Sequence, residues 1–223
     1  MPMKRIASRV GASLSSVSLW VRDIELNPAH RERNRQQEYA QRATTWSDLN
    51  RAKRVAYQLE GRTRARQDDP LHRMGCMLYW AEGSKERNAV IFANSDLNMV
   101  GFFRRFLTSC FDLAPERLAV RLNVYTGNGL GIRQIENFWL NALELPRLCL
   151  RKHTLNHFPT SSSGRKRNKL PYGVCTLSVH DTHIAQHIYG AIQEYAGFEE
   201  PRWLDGAPRT GKRERAGITS GEQ

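Results

Sequence analysis

Glu82 closes an apolar run, Gly75-Cys76-Met77-Leu78-Tyr79-Trp80-Ala81-Glu82, and is followed at once by Gly83-Ser84. The run reads as a helix over Leu71–Gly83, so this carboxylate falls at a C-terminal end, where the helix dipole disfavours negative charge. An acid placed against its local preference points to a use other than solvation. His180, His183 and His187 are a second set. His183 and His187 are four apart on one helix face, a spacing that can bind zinc. No Glu follows His183 in the peptidase arrangement and no further ligand is legible, so the group reads as a polar helix surface with Asp181 as N-cap. Cys76, Cys110, Cys149 and Cys175 lie far apart among apolar neighbours with no Cys-x-x-Cys pair, which predicts buried, reduced thiols. No Ser-His-Asp arrangement, phosphate loop or dinucleotide fingerprint stands out. Gly127, Gly129 and Gly131 lack the fingerprint's third-glycine spacing and read as a loop.

The elements that must position these residues follow from periodicity. Strand-like runs are Ala89–Ala93, Leu118–Tyr125, Leu148–Leu155 and Tyr172–Val179; helical patterns fill Leu71–Gly83, Leu97–Phe111, Ile132–Leu143 and His183–Ala196. This alternation over 70–197 predicts an α+β domain. Before it comes a linker, residues 28–69, whose residues 29–67 carry ten Lys and Arg against four acids. Sparse apolar residues from Tyr39 through Trp46, Leu49 and Val55 to Leu59 predict an amphipathic linker helix, or two in series. Residues 198–223 are polar and Gly-rich and predict a disordered tail.

Residues 1–27 form a unit of their own. A helical run Lys4–Val10 ends at Gly11, which permits positive φ, and Ser13 can cap a second run, Leu14–Asp23. Ala7 is small where a second helix would cross. Val17 and Trp20 are placed to meet Ile6 and Val10. No acid precedes Asp23. This pattern resembles the helix-turn-helix of DNA-binding proteins. The resemblance implies that the second helix enters the major groove, with Ser13, Ser15, Ser16, Ser18 and Arg22 facing the groove or nearby phosphates and Lys4, Arg5 and Arg9 holding the backbone.

Charge agrees with a polyanionic partner. The 223 residues carry a formal net charge of +12. Between Glu144 and Asp181 there is no acid, while Arg147, Arg151, Lys152, Arg165, Lys166, Arg167 and Lys169 are all basic. Arg151, Lys152 and His153 on a predicted strand, and Arg165, Lys166 and Arg167 in the following loop, are candidates to hold phosphates. No apolar run approaches the roughly 20 residues of a membrane span, and the N-terminus lacks an apolar signal core. A cytoplasmic protein with no membrane partner is expected.

Residues 75–84, ending in Ala81-Glu82-Gly83, resemble the LAGLIDADG motif of homing endonucleases and their non-cutting relatives. A strand, Asn94-Ser95-Asp96 and a helix follow. The resemblance implies that 70–197 is a mixed helix and antiparallel-sheet domain whose strands saddle double-stranded DNA. It also implies that Glu82 matches the acid that holds magnesium and would be catalytic in a nuclease. A second acid-Gly-Ser motif is missing, so a magnesium-dependent endonuclease would have to act as a homodimer. Relatives that join a degenerate LAGLIDADG domain to a helix-turn-helix act in transcription. The leading expectation is therefore a sequence-specific transcriptional regulator that binds DNA and does not cut it, magnesium being implied only for the nuclease alternative. A basic RNA-binding module is the third option.

Overall fold

The computed structural model describes residues 3–24, 28–125, 129–156 and 170–205. The chain divides into two compact units, Met1–Leu49 and Asn50–Gln223. The division falls inside a helix rather than near residues 27 and 69, where the composition shifts.

The first unit begins with α1 (Met3–Val10) and α2 (Leu14–Trp20). Gly11 takes φ +68°, and the Ala12 N–H reaches back 3.1 Å to the Ala7 carbonyl. This six-to-one bond is the Schellman closure that a left-handed glycine allows. Ser13 then starts α2, its Oγ accepting the Ser16 N–H at 3.1 Å. Val17 is fully enclosed and Ala7 is buried, as a crossing requires. Trp20 is not: it is 62% exposed, and Val10 is 61% exposed. At 100° per residue, centring Val17 on the crossing swings Trp20 about 60° away from it. Helix α2 also stops at Trp20 instead of Asp23, and residues 21–23 continue as turns.

Helix α3 (Pro28–Ala65) is one helix of 38 residues, not two. Its buried positions are Arg54, Gln58, Gly61 and Ala65, spaced four, three and four apart. The apolar stripe read from the sequence faces solvent instead, with Tyr39, Trp46, Leu49, Val55 and Leu59 all exposed.

The second unit continues with α4 (Pro70–Glu82), β1 (Val90–Asn94), α5 (Leu97–Cys110), β2 (Ala119–Tyr125), α6 (Ile132–Leu143), β3 (Thr154–Asn156), β4 (Val174–Val179), α7 (Thr182–Ala196) and α8 (Arg202–Asp205). The α+β class holds. The sheet order is β1-β4-β2-β3, antiparallel except for the parallel pair β2–β3. That parallel pair corrects the wholly antiparallel expectation. The expected strand Leu148–Leu155 is also corrected. A 3₁₀ turn occupies Arg147–Cys149, and only Thr154–Asn156 pairs regularly. The reason lies in His153. Its Nδ1 accepts the Leu122 N–H at 3.1 Å, so a side chain takes a backbone's place in the ladder.

Burial alternates along the strands. Val90, Phe92, Val120, Leu122, Val124, Cys175, Leu177 and Val179 point into the core. Helices cover that face. Tyr79 of α4 stacks on Phe103 of α5 at 5.7 Å, and Phe103 on Phe92 of β1 at 4.4 Å. Gly75 leaves room for the Phe106 ring, which a Cβ there would strike. Trp139 is wholly buried and donates its Nε1–H to the Tyr172 carbonyl at 2.9 Å. Residues 198–205 are ordered, which corrects the expected start of the disordered tail. Trp203 stacks on Tyr189 at 4.8 Å, and Phe198 on Trp80 at 5.4 Å. Residues 206–223 lie outside the described residues.

Asp181 caps α7 as expected, accepting the Ile184 N–H at 3.2 Å and pairing with Arg117 at 2.8 Å. Burial pushes its carboxyl up, but Arg117 and the N–H donors outweigh that and hold it below the usual carboxylate range. Asp181→Ala is expected to cost about 1 kcal/mol in urea denaturation at pH 7. Because the folded-state pKa is depressed, this contribution is present above the unfolded pKa near 3.8 and is lost as pH falls through the folded value. A difference between parent and variant that persisted undiminished at pH 2 would contradict this.

Candidate nucleic-acid interface

Two surfaces carry the residues singled out for binding, one in each unit. In the first, Ser15, Ser18, Leu19 and Arg22 are exposed around α2. Lys4, Arg5 and Arg9 are exposed on α1 and in its turn, and none of the four cations makes an ion pair among the described residues. Ser13 and Ser16 play another part. The Ser13 hydroxyl is the helix cap and lies 2.9 Å from both the Ser15 and Ser16 hydroxyls, while Ser16 is half-buried. Ser13 and Ser16 therefore build the helix start that Ser15, Ser18 and Arg22 depend on for their aim.

In the second unit, the sheet face opposite the helices is polar. Strand alternation puts Arg121 and Asn123 of β2 and Thr176 and Ser178 of β4 on it, with Arg121 paired in register with Thr176. This face forms a shallow depression also lined by Arg117, Arg151, Lys152, His180 and one acid, Glu116. Arg151 donates to the carbonyls of Leu148 and Leu150 at 2.7 and 3.0 Å, which holds the guanidinium in place without neutralising it. Arg121 and Lys152 are exposed and have no ion-pair partner among the described residues. Arg121, which strand alternation alone could have flagged, belongs with Arg151 and Lys152. His153 does not. Its Nδ1 serves the Leu122 N–H and its Nε2 lies 3.2 Å from Glu136, so it is a half-buried structural residue. Arg165, Lys166 and Arg167 lie outside the described residues.

The Asn50–Ala65 part of α3 does not offer a basic face. Arg51 pairs with Asp205 at 2.8 Å and Arg62 with Glu199 at 2.7 Å, while Arg64 pairs with Asp69 at 2.8 Å. Arg54 donates to the Leu204 carbonyl at 2.7 Å. These guanidiniums tie the helix to its own unit.

Glu82 is exposed at the end of α4. Lys85 explains how an acid is tolerated there: its Nζ donates to the carbonyls of Trp80 and Gly83, each at 2.7 Å, covering the negative helix end with a cation. Burial lowers the Lys85 pKa, against the pull of Glu82. Among the described residues Glu82 joins no cluster of three metal-ligating side chains.

The cluster that does form is one the sequence concealed. His187 is not on a polar helix surface: its side chain is 7% exposed, and every residue of α7 from Ile184 to Gln193 is buried. Glu60 of α3 reaches both histidines, Oε2 lying 2.8 Å from His183 Nε2 and Oε1 3.3 Å from His187 Nδ1. Behind them His72 is wholly buried, and burial, with the neighbouring His187 adding to it, pushes its imidazole down to about 4. Cys76, Cys149 and Cys175 are buried free thiols, as expected, and Cys110 is half-buried and free. Burial raises the pKa of all four, which disfavours the thiolate form. Among the described residues no helix is long and apolar enough to cross a membrane. Compared with protein-family models, with curated proteins and with solved structures, the chain has no significant match to any of them.

Proposed function

We propose that this protein binds double-stranded DNA, with α2 lying in the major groove, and that it regulates transcription without cutting. The observation that carries the reading is the two-helix corner itself. Val17 is sealed in the crossing, Gly11 and Ser13 fix the turn, and Ser15, Ser18 and Arg22 are left exposed on a surface with no acid before Asp23. A short helix presenting hydroxyls and a guanidinium can reach base edges and phosphates together. The basic sheet face of the second unit supports the same reading by offering further phosphate contacts. A LAGLIDADG-like domain that does not cut fits this role, since Glu82 joins no cluster of three metal-ligating side chains among the described residues.

The test is selection of bound fragments from random duplex DNA, followed by affinity measurement on the enriched site. The Ser15→Ala/Ser18→Ala/Arg22→Ala variant is expected to bind that site at least tenfold more weakly, with its helical circular dichroism unchanged because all three side chains are exposed. Unchanged affinity would remove the α2 reading. An enriched palindrome would establish recognition by a homodimer.

A further inference from the structure

We propose that Glu60, His183 and His187 form a binding site for a zinc-class divalent cation that staples the C-terminal part of α3 to α7. All three groups belong to the second unit, and the site stands independently of DNA binding. Their ligand atoms lie within 4.8 Å of one another. Tetrahedral zinc with bonds of about 2.1 Å sets its ligand atoms roughly 3.4 Å apart, so side-chain rotation suffices to close the set around an ion. Two imidazoles and one carboxylate suit zinc and its borderline neighbours far better than magnesium. Three protein ligands leave a fourth position for water, opening onto a groove lined by Leu59, Thr63, Arg64 and Cys110.

What sets this apart from an ordinary Glu–His pair is the support behind it. A metal-bound imidazole needs a partner for its other ring nitrogen. His187 Nε2 lies 3.1 Å from His72 Nε2, and His72 Nδ1 lies 2.9 Å from the Tyr195 hydroxyl. With no cation, the Glu60 carboxylate can only accept. His183 Nε2 and His187 Nδ1 then carry hydrogens, His72 donates from Nε2 to His187, and Tyr195 donates to His72 Nδ1. With a cation on His187 Nδ1 the relay runs the other way. His187 donates from Nε2 to His72 Nε2, and His72 donates from Nδ1 to the Tyr195 oxygen. Both senses leave every buried nitrogen satisfied, so the ion can bind without orphaning a polar group.

The experiment uses the full chain, stripped with a chelator and titrated with zinc. Calorimetry is expected to give one saturable site per chain, and the thermal midpoint should rise with zinc concentration, while magnesium at the same concentration leaves it unchanged. Glu60→Gln and His183→Ala remove half-exposed or exposed side chains, so the chelated variants should melt close to the chelated parent. Each should bind zinc at least tenfold more weakly. Nitrogen-15 spectra of the imidazoles add a readout that a merely structural contact would not move: the hydrogen on His72 shifts from Nε2 to Nδ1 when zinc is added. Absence of a saturable site overturns the proposal, as does binding in both variants equal to the parent's, or His72 keeping its tautomer in the zinc-saturated protein.

Discussion

Gly190→Ala is expected to destabilise the second unit by about 3 kcal/mol or more, a cost at the upper end for one added methyl group. A Cβ on Gly190 would strike the Gln58 backbone, lying 2.6 Å from both its carbonyl carbon and its Cα. The reciprocal position, Gly61, would put a Cβ 2.8 Å from the His187 carbonyl carbon and 3.0 Å from the Ala191 nitrogen. Backbone sits on both sides, so no side chain can turn aside, and α3 must move off α7. That movement breaks a buried polar lattice. Gln58 Nε2 donates to Gln186 Oε1 at 2.7 Å, and Gln193 Nε2 donates to Gln58 Oε1 at 3.1 Å. Gln186 also donates to the carbonyls of Arg87 and Trp203, each at 2.9 Å. Among the described residues no buried side-chain polar atom lacks a partner. Opening the helices creates several such atoms, each costing about 1–3 kcal/mol if left unmade. Gly101→Ala is the matched control, because a Cβ there meets nothing within 4 Å. It should be neutral or gain about 0.5–1 kcal/mol from helix propensity. Urea midpoints at constant m-value decide between them. Equal midpoints for the two variants would mean that the glycines are not required by close approach.

That junction also marks where sequence reading stopped. Helices were legible wherever one face was apolar. The Ile132–Leu143 span matched, and Asp181 was recognised as a cap because an acid ahead of a helical pattern has one obvious use. The strand alternation at Ala119–Tyr125 was legible for the same reason. Helix α7 defeated the reading because it is buried all round yet carries Gln186, His187 and Gln193. Polar residues at helical spacing read as surface unless their partners are known, and these partners lie 115–135 residues away in the chain. Glu60 was invisible as a companion of His183 and His187 for that reason. In α3 the apolar stripe misled. The contact to α7 is decided by a glycine that admits backbone, not by side chains that would bury area. His153 looked like a basic strand residue, and only the unmet Leu122 N–H shows why it is there. At the N-terminus, the turn glycine and the cap serine were plain, whereas the exposure of Trp20 depends on Val17 being the residue centred on the crossing, which spacing does not encode.

Replacing Arg121, Arg151 and Lys152 together by glutamate is expected to weaken duplex binding by on the order of a hundredfold or more at physiological salt. Each of these cations lines the depression on the sheet face, and none is ion-paired among the described residues. A cation that neutralises a phosphate releases a counterion, so each one adds about 0.9 to the slope of log affinity against log salt. Single alanine variants should therefore flatten that slope by about 0.9 apiece, with little change in which sequences are preferred, because phosphate contacts position rather than read. Arg105→Glu controls for overall charge. Arg105 lies on α5, in the helical layer, with its guanidinium 5.4 Å from the Phe102 ring. It makes the same change in formal charge as any one of the three sheet-face substitutions and should alter the slope far less. A triple variant with unchanged slope, or an Arg105→Glu variant as damaging as Arg121→Glu, would show that the sheet face holds no phosphates. Binding would then rest on α2 and its neighbours alone, and the loss caused by the Ser15, Ser18 and Arg22 substitutions should account for nearly all of the specific affinity.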